Sequence, residues 1–167
     1  FINGKSYGKQ SKNNSSLKSR YRLMWMDAVY EPGEVKVVAY NKDGKAVAEK
    51  TVRTAGKPHH IELVSNRNEL TADGKDLAYV TVKVVDKDGN LCPTDSRLIH
   101  FSVKGAGKFR AVANGDPTNL EQFHLPKMHA FHGMLTAIVQ AGEIAGDLVL
   151  TAKASGVKTG TVHLQAK

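Results

Sequence analysis

Val80 to Gly89 reads VTVKVVDKDG, and this stretch decides the fold class. Its first valines alternate with Thr81 and Lys83, which is the period-two pattern of a strand with one buried and one solvated face. The run ends in Lys-Asp-Gly, a turn sequence whose glycine tolerates a positive φ angle. A short strand that runs into a tight turn is the repeating unit of antiparallel β structure, so this stretch predicts a hairpin-built sheet.

The same alternation recurs at intervals of about ten residues, the spacing expected of a hairpin-built sandwich. Each run is bounded by Gly, Asp or Asn, and no comparable segment has the apolar spacing of a helix. The half-buried strands predicted in this way have their apolar positions at Val35/Val37/Ala39, Ile99/Phe101/Val103, Leu135/Ala137/Val139, Leu148/Leu150/Ala152 and Val162/Leu164/Ala166. We therefore predict an all-β fold of stacked antiparallel sheets.

A faint internal repeat indicates two units. Val35 to Gly44 reads VKVVAYNKDG, so the strand and turn of Val80 to Gly89 occur twice. Between the two copies, Thr54 to Pro58 interrupts the pattern. Gly56 frees the backbone there, while Pro58 fixes φ and removes a donor at the start of a strand. We place the linker in this interruption.

This linker predicts two immunoglobulin-like antiparallel β-sandwich units in tandem, over residues 1–57 and 58–167. The second has the length of a complete immunoglobulin-like domain, but the first does not. The first opens on Phe1 to Lys5, FINGK, which predicts a hairpin with an Asn-Gly turn. We expect the first unit to be incomplete at its N-terminus and the chain to be the tail of a longer protein.

The charge is strongly positive, with a net value of +8 from 24 Lys and Arg against 16 Asp and Glu. Such a surplus attracts nucleic acid, anionic lipid or acidic glycans. The lysine-rich stretch Ser11 to Lys18 has no aromatic residue to stack on bases, so we expect no nucleic-acid partner. No apolar run approaches the roughly 20 residues that span a bilayer, so we expect no membrane insertion. Cys92 is the only cysteine, which excludes an internal disulfide and a thiolate zinc cage.

The segment that starts at Asp86 resembles a calcium loop at first sight. That loop needs Gly at its sixth position and Glu at its twelfth, and here those positions hold Leu91 and Arg97. We interpret the segment as a hairpin turn.

The longest irregular stretch, residues 114–130, contains or adjoins three histidines: His124, His129 and His132. The spacing of the last two could ligate a metal, but no carboxylate motif accompanies them, and loop histidines usually face solvent. We expect no metal or cofactor. A loop of this length in a compact domain is often functional.

Catalytic patterns are missing from the sequence. Glycoside hydrolysis needs two carboxylates that face each other across a sugar. Glu31 and Glu34 flank a Pro-Gly turn and are expected to splay into solvent. The sequence contains no G-x-S-x-G elbow, P-loop or G-x-G-x-x-G. We therefore expect no catalytic residue in this chain.

Aromatic side chains are the candidate sugar contacts. Trp25, Tyr30 and Phe123 could stack on sugar rings, as aromatics on carbohydrate-binding sandwiches do. The other interpretation of Trp25 is a plug buried between two sheets.

Tyr21 to Gly56 reads YRLMWMDAVYEPGEVKVVAYNKDGKAVAEKTVRTAG and resembles the immunoglobulin-like domain that follows the catalytic barrel in bacterial β-galactosidases of glycoside hydrolase family 2. The specific pieces are Tyr30 to Glu34, the Val-Ala-Tyr strand that ends at Tyr40, and Val52 to Gly56. Phe1 to Gly8 matches the hairpin of that domain. In the family, the missing opening strands lie just upstream.

The second unit resembles the C-terminal invasin-like domain of the same family. The resemblance rests on Ala72 to Leu77, Asp86 to Gly89, Asn114 to Thr118 and Ala137 to Gln140. Together the two resemblances cover nearly the whole chain. The histidine-rich Phe123 to His132 departs from the family pattern.

The resemblance implies a non-catalytic accessory region of a periplasmic or extracellular bacterial enzyme that releases terminal β-galactose. The two catalytic glutamates of the family lie in an upstream barrel, so no position here inherits them. The implied partners are glycans and the upstream barrel and sandwich domains of the same parent chain. In the family, such tails brace the barrel or shape access to it. Two alternatives stay open, which are an independent carbohydrate-binding module and a bacterial surface immunoglobulin-like adhesion repeat.

Overall fold

A computed structural model describes all 167 residues, and the chain divides into two compact units, Phe1–Thr54 and Ala55–Lys167. The predicted boundary lies after Lys57. In the structure, the residues after Thr54 belong to the second unit because they are fixed to it. The amide of Gly56 donates to Oδ2 of Asp86 at 2.7 Å, and Ala55 packs on the core of the second unit.

The first unit contains one short helix and one antiparallel hairpin. Its elements are α1 (Leu17–Tyr21), β1 (Glu34–Tyr40) and β2 (Ala46–Arg53). The helix begins after Ser16, whose hydroxyl accepts from the amide of Ser19. In the hairpin, Val35 lies opposite Val52.

The Asn-Gly hairpin predicted at the start of the chain is confirmed. Ile2 bridges to Lys5, and the two turn residues, Asn3 and Gly4, have φ angles of 48° and 81°. Positive φ at both central positions is the type I′ geometry that Asn-Gly favours. Ile2 also bridges to Val35, so this end of the chain lies against β1.

The second unit is a two-sheet antiparallel sandwich, which confirms the predicted all-β fold. A five-stranded sheet has the order β4-β11-β10-β6-β8, and a four-stranded sheet has the order β3-β5-β9-β7. Only the short pairing of β4 with β11 is parallel. The strands are β3 (His60–Ser65), β4 (Glu69–Leu70), β5 (Leu77–Val85), β6 (Leu98–Gly105), β7 (Gly107–Ala113), β8 (Lys127–His129), β9 (Met134–Ala141), β10 (Gly146–Lys153) and β11 (Gly160–Ala166).

One hydrophobic core lies between these two sheets. The alternation predicted for the later strands is observed, because every second side chain of β5, β9 and β10 is buried. The largest fully buried side chains include Ile99, Met128, Leu148 and Leu150. A closed core of this kind makes the second unit a complete domain by itself.

The chain passes from one sheet to the other at Gly105. Its φ is 93°, and a Cβ there would overlap the carbonyl oxygen of Asp147. Both facts require glycine, because an L side chain would be strained and would clash. Without this crossing, β6 and β7 could not lie in different sheets.

The burial predicted for β1 is wrong. Val35, Val37 and Ala39 do form a strand, but all three are exposed. The alternation correctly indicates that the valines share one face of the hairpin. No second layer within the first unit covers that face.

Candidate interaction surfaces

The apolar face of the first unit lies on the β1–β2 hairpin. We call it the valine face; it consists of Val35, Val37, Ala39, Ala48 and Val52, with one charged residue, Lys50, opposite Val37. Val37 and Val52 are 51% and 61% exposed, respectively. Soluble domains rarely leave the apolar side of a sheet open to water, so this face is a candidate docking surface.

The other face of the same hairpin is charged. Arg53 pairs with Glu34 at 2.6 Å, and Lys36 pairs with Glu49 at 2.8 Å. The hydrogen bond and charge of Glu49 raise the pKa of Lys36. The hairpin therefore exposes a mainly apolar side, with Lys50 as its one charged residue, and forms its two ion pairs on the other side.

The predicted sugar-contact residues do not form one site. Trp25 is half-buried and lines an open groove of the first unit together with Tyr7, Leu23 and Val37. Its indole Nε1 is buried and has no hydrogen-bond partner. Tyr30 is 72% exposed, does not line that groove, and places its hydroxyl 3.0 Å from Oγ1 of Thr54.

Phe123, the third of these aromatics, belongs to the second unit and is 56% exposed. It lies in the long loop between β7 and β8, where its carbonyl accepts from the amide of Val112. The neighbouring Leu120 is also exposed. Phe123 thus remains a candidate contact, separate from the two aromatics of the first unit.

Two histidines of this loop region, His129 and His132, contact different groups. Nδ1 of His129 lies 3.0 Å from Oε1 of Glu121, whereas Nδ1 of His132 lies 3.2 Å from the carbonyl oxygen of Pro93. Asn114 donates to the carbonyl of His129 at 3.0 Å and fixes the entry of the loop. No group of three or more His, Cys, Asp or Glu side chains in the chain is arranged to hold a metal ion.

Asp86 organises the turn that resembles a calcium loop. It is buried, its Oδ1 accepts from the amides of Asp88 and Asn90, and its Oδ2 accepts from Gly56. The amide of Gly56, followed by the side chain of Asn90, holds the pKa of Asp86 well below its ordinary value. The hairpin-turn interpretation is confirmed, and the carboxylate serves the chain itself.

The two carboxylates considered for catalysis are on the surface of the first unit. Glu34 is bound to Arg53, and the exposed Glu31 makes no side-chain hydrogen bond. Neither group lies in an apolar environment that would prepare it as a general acid. The chain also has no helix with the length and hydrophobicity needed to cross a bilayer.

A basic surface of the second unit escaped the sequence analysis. We call it the basic face, and it consists of His100, Lys104, Lys127, Lys153 and His163 on the outer side of the five-stranded sheet. The alternation of His100, Ser102 and Lys104 with buried residues did indicate outward-facing positions. The residues that lie beside them on neighbouring strands depend on register, which this sequence does not encode locally.

These features describe a module built almost entirely of β structure. It presents surfaces rather than a cleft with converging polar groups, and its strongly perturbed carboxylate supports a turn. Such modules occur beside catalytic domains in many multidomain proteins, so the fold alone does not name the chain.

Comparison with known protein families identifies the class to which this chain belongs. The chain matches the model described as glycoside hydrolase family 2 C-terminal domain 5 over residues 61–163. Residues 1–48 match a second model, described as domain of unknown function (DUF4982). This chain belongs to the glycoside hydrolase family 2 C-terminal domain 5 family.

Individual relatives agree with that assignment. A β-galactosidase of Bacteroides ovatus is 42% identical over 100% of this chain and 19% of its own length. A β-glucuronidase of Formosa agariphila is 27% identical over 99% of this chain and 16% of its own length. A solved glycosyl hydrolase family 2 member from Bacteroides cellulosilyticus superimposes with a TM-score of 0.86 at 33% identity, over 100% of this chain and 21% of that one.

The chain thus spans about a fifth of the length of the first of these relatives. The predicted resemblance to the C-terminal immunoglobulin-like region of family 2 enzymes is confirmed. The chain corresponds to a C-terminal region of that family and not to its catalytic barrel.

Proposed function

We propose that this chain is the non-catalytic accessory region of a family 2 enzyme that hydrolyses terminal β-galactosides. The valine face is the observation that carries the proposal. It packs against the upstream sandwich and barrel domains of the parent chain, and the hydrolysis takes place in that barrel.

The instability of an isolated hairpin supports this role. A two-stranded hairpin is at best marginally stable in water, and it needs further strands or a packed layer. The first unit has only the β1–β2 hairpin and the short pairing of its first residues. A covering layer from the parent would remove Val35, Val37 and Val52 from water, with a gain of about 25 cal/mol per Å² of apolar surface.

The β-galactoside assignment is supported by the relatives. The B. ovatus β-galactosidase is similar over the whole chain at 42% identity, whereas the F. agariphila β-glucuronidase is similar at 27%. We expect the parent to cleave p-nitrophenyl β-galactoside much faster than the β-glucuronide, and the 167-residue chain alone to cleave neither. Turnover by the chain alone would refute the accessory role, and a preference for the glucuronide would refute the substrate.

The docking role is tested in the full parent enzyme by charging the valine face. Val37→Asp places a carboxylate, opposite Lys50, where we propose a dry contact, and the desolvation of this charge should lower the stability of the parent. Val47→Asp is the matched control, because Val47 is 62% exposed and lies at the register shift near the end of the hairpin, where it has no cross-strand partner. Thermal unfolding of the parent measures both.

We expect Val37→Asp to lower the melting temperature of the parent clearly and Val47→Asp to leave it nearly unchanged. In the isolated 167-residue chain, neither substitution should matter much because both positions are exposed there. Equal behaviour of the two variants in the parent would show that the valine face is not the docking surface.

A carbohydrate-binding module is the second candidate, and the half-buried Trp25 in the open groove favours it. A sugar ring that enters the groove could stack on the indole. Titration of the chain with galacto-oligosaccharides, followed by the fluorescence of its only tryptophan, tests this candidate. A saturable change that is lost in Trp25→Phe supports it, and a flat response up to millimolar ligand excludes it.

We further propose a periplasmic or extracellular location in a bacterium, as the family resemblance implies. Fractionation of the source cells with an antibody against the chain tests this, and recovery of the protein in the cytoplasmic fraction would contradict it.

A further inference from the structure

The basic face is built by strand register. Lys127 of β8 lies directly opposite His100 of β6, and His100 lies opposite Lys153 of β10. Four residues further along β6, Lys104 lies opposite Val149, which in turn lies opposite His163 of β11. Two basic rows therefore cross the sheet, about 13 Å apart along the strands.

A row of hydroxyl groups lies between these two basic rows. Ser102 is opposite Thr151, and Thr151 is opposite Thr161. None of the three hydroxyls makes a side-chain hydrogen bond within the chain. The surface thus presents free hydroxyl donors and acceptors between two rows of positive or protonatable groups.

The charges of the basic face have no partners in the chain. Its three lysines and two histidines form no salt bridge or side-chain hydrogen bond, although seven salt bridges occur elsewhere. The acidic residues at its borders are mostly engaged, because Glu121 pairs with His129 and Glu69 pairs with Lys167. Asp147, beyond the row of Lys104, is exposed and pairs with none of the five residues.

Protection of a sheet edge explains only some of these residues. Lysines on edge strands discourage strand addition, and Lys127 lies on the edge strand β8. His100 is paired on both sides, with Lys127 and with Lys153, and Lys153 lies on β10 between β6 and β11. Edge protection does not account for His100 and Lys153.

The four-stranded sheet of the same unit shows the contrasting arrangement. On its outer side, Lys83 lies opposite Glu62 and pairs with it at 3.2 Å. Opposite charges across strands stabilise a sheet, whereas like charges destabilise it. The basic face lacks the stabilisation that cross-strand ion pairs would give. Residue choices that lower stability in this way are expected where a surface serves binding.

We propose that the basic face binds an anionic polysaccharide, one that carries carboxylate or sulfate groups. The lysines neutralise the anionic groups, and the hydroxyl row hydrogen-bonds to the sugar hydroxyls between them. An extended polymer fits a flat sheet face, and its charges provide the linear array that two basic rows match. Ser102, Thr151 and Thr161 give no aromatic platform for unstacked bases, which distinguishes this ligand from single-stranded nucleic acid.

This inference concerns the second unit and does not depend on the valine face. If the parent hydrolyses galactosides, the basic face would hold an acidic glycan near the enzyme without taking part in cleavage. Failure of either proposal leaves the other standing, because they rest on different units and different chemistry.

The experiment measures binding of the 167-residue chain to polygalacturonate and heparin by calorimetry at 50 mM and 200 mM salt. The test variant is Lys104→Glu/Lys127→Glu/Lys153→Glu. The control variant is Lys75→Glu/Lys87→Glu/Lys158→Glu, which changes the net charge equally at exposed lysines of the same unit that form no salt bridge. The comparison ligands are neutral galactan, duplex DNA and single-stranded DNA, all of matched length.

We expect saturable binding of at least one anionic polysaccharide, with lower affinity at the higher salt concentration. We expect no binding of galactan. The test variant should lose roughly a hundredfold in affinity, while the control should lose much less. Amide chemical shifts of the unmodified chain should move around His100, Ser102 and Thr151. This last measurement needs no substitution, so it stands even if the test variant fails to fold.

Three results would overturn the proposal. One is an absence of binding at 50 mM salt, and another is an equal loss in both charge-reversed variants, which would mean that only net charge matters. The third is tighter binding of DNA than of either polysaccharide with the same shift pattern, which would reassign the basic face to nucleic acid.

Discussion

In the second unit the valines of β5 are fully buried, whereas the equivalent valines of β1 in the first unit are about half exposed. Val82 has no exposed surface, and Val37 in the repeated motif is 51% exposed. The two strands share their alternation although only two of six aligned residues agree, Val35 with Val80 and Val37 with Val82, so local pattern determines that each forms a strand with one apolar face. The cover over that face comes from the rest of the fold, and only the second unit contains it.

The turns that follow these two strands differ in how far along the chain their hydrogen bonds reach. Asn41 and Asp86 occupy equivalent positions, and the Oδ1 of each accepts from the amides two and four residues later. Asp86 has a second carboxylate oxygen, which accepts from Gly56 and fixes the start of the second unit. Asn41 is exposed and holds only its own turn. The second carboxylate oxygen of Asp86 thus adds a long-range contact to what is otherwise a local turn.

Core truncation is the strongest test of the comparison between units. Leu150→Ala removes a side chain that is fully buried between the two sheets and should lower the free energy of unfolding by about 2–5 kcal/mol. Leu17→Ala makes the same chemical change in α1, where the side chain is 75% exposed, and should change it by less than about 0.5 kcal/mol. Urea unfolding followed by circular dichroism measures both. Similar losses would show that the first unit has a core of its own.

Removal of the second carboxylate oxygen of Asp86 should have the next largest effect. Asp86→Asn keeps the amide contacts of the turn, as Asn41 does, but loses the charged acceptor for Gly56. We expect a clear loss of stability at neutral pH, smaller than that of Leu150→Ala. Hydrogen exchange at the amide of Gly56 should accelerate in the variant. The matched control is Asn41→Asp, which should be nearly neutral because that turn is exposed.

The pH dependence of this effect has a definite sign. The pKa of Asp86 is lower in the folded chain than in the unfolded chain. Its contribution is therefore complete above the unfolded value, about pH 4, and is lost as the pH falls through the lower folded value. The stability difference between the natural chain and Asp86→Asn should shrink below about pH 4. A difference that stayed constant down to pH 2 would contradict the role of the carboxylate charge.

Sequence patterns predicted the features that are encoded locally. The period-two runs located six of the eleven strands, β1, β5, β6, β9, β10 and β11, as the buried Leu135 and Leu150 show for the two sheets of the second unit. The Asn-Gly and Lys-Asp-Gly turns were predicted because positive φ angles favour those residues, and Gly4 and Gly89 adopt them. Strand existence and turn chemistry depend on neighbours in sequence, which explains this success.

Features that depend on partners far away in sequence could not be predicted. The exposure of Val37 depends on which layer covers β1, and the basic face depends on the register that places Lys127 beside His100. The role of Asp86 in fixing Gly56 joins residues 30 positions apart. None of these pairings has a local signal, so the candidate surfaces were found only in the structure.

The smallest expected effect concerns the charged face of the first unit. Glu34 and Arg53 are 2.6 Å apart, but their side chains are 37% and 59% exposed, so Glu34→Gln should cost less than about 1 kcal/mol. Added salt should screen the interaction and reduce that cost further. A double-mutant cycle with Arg53→Gln in the isolated chain measures the coupling between the two side chains. The same cycle in the parent enzyme shows which face of the hairpin is covered. If the valine face docks, the coupling energy between Glu34 and Arg53 stays small in the parent. A coupling energy of several kcal/mol would mean that the parent buries the charged face instead.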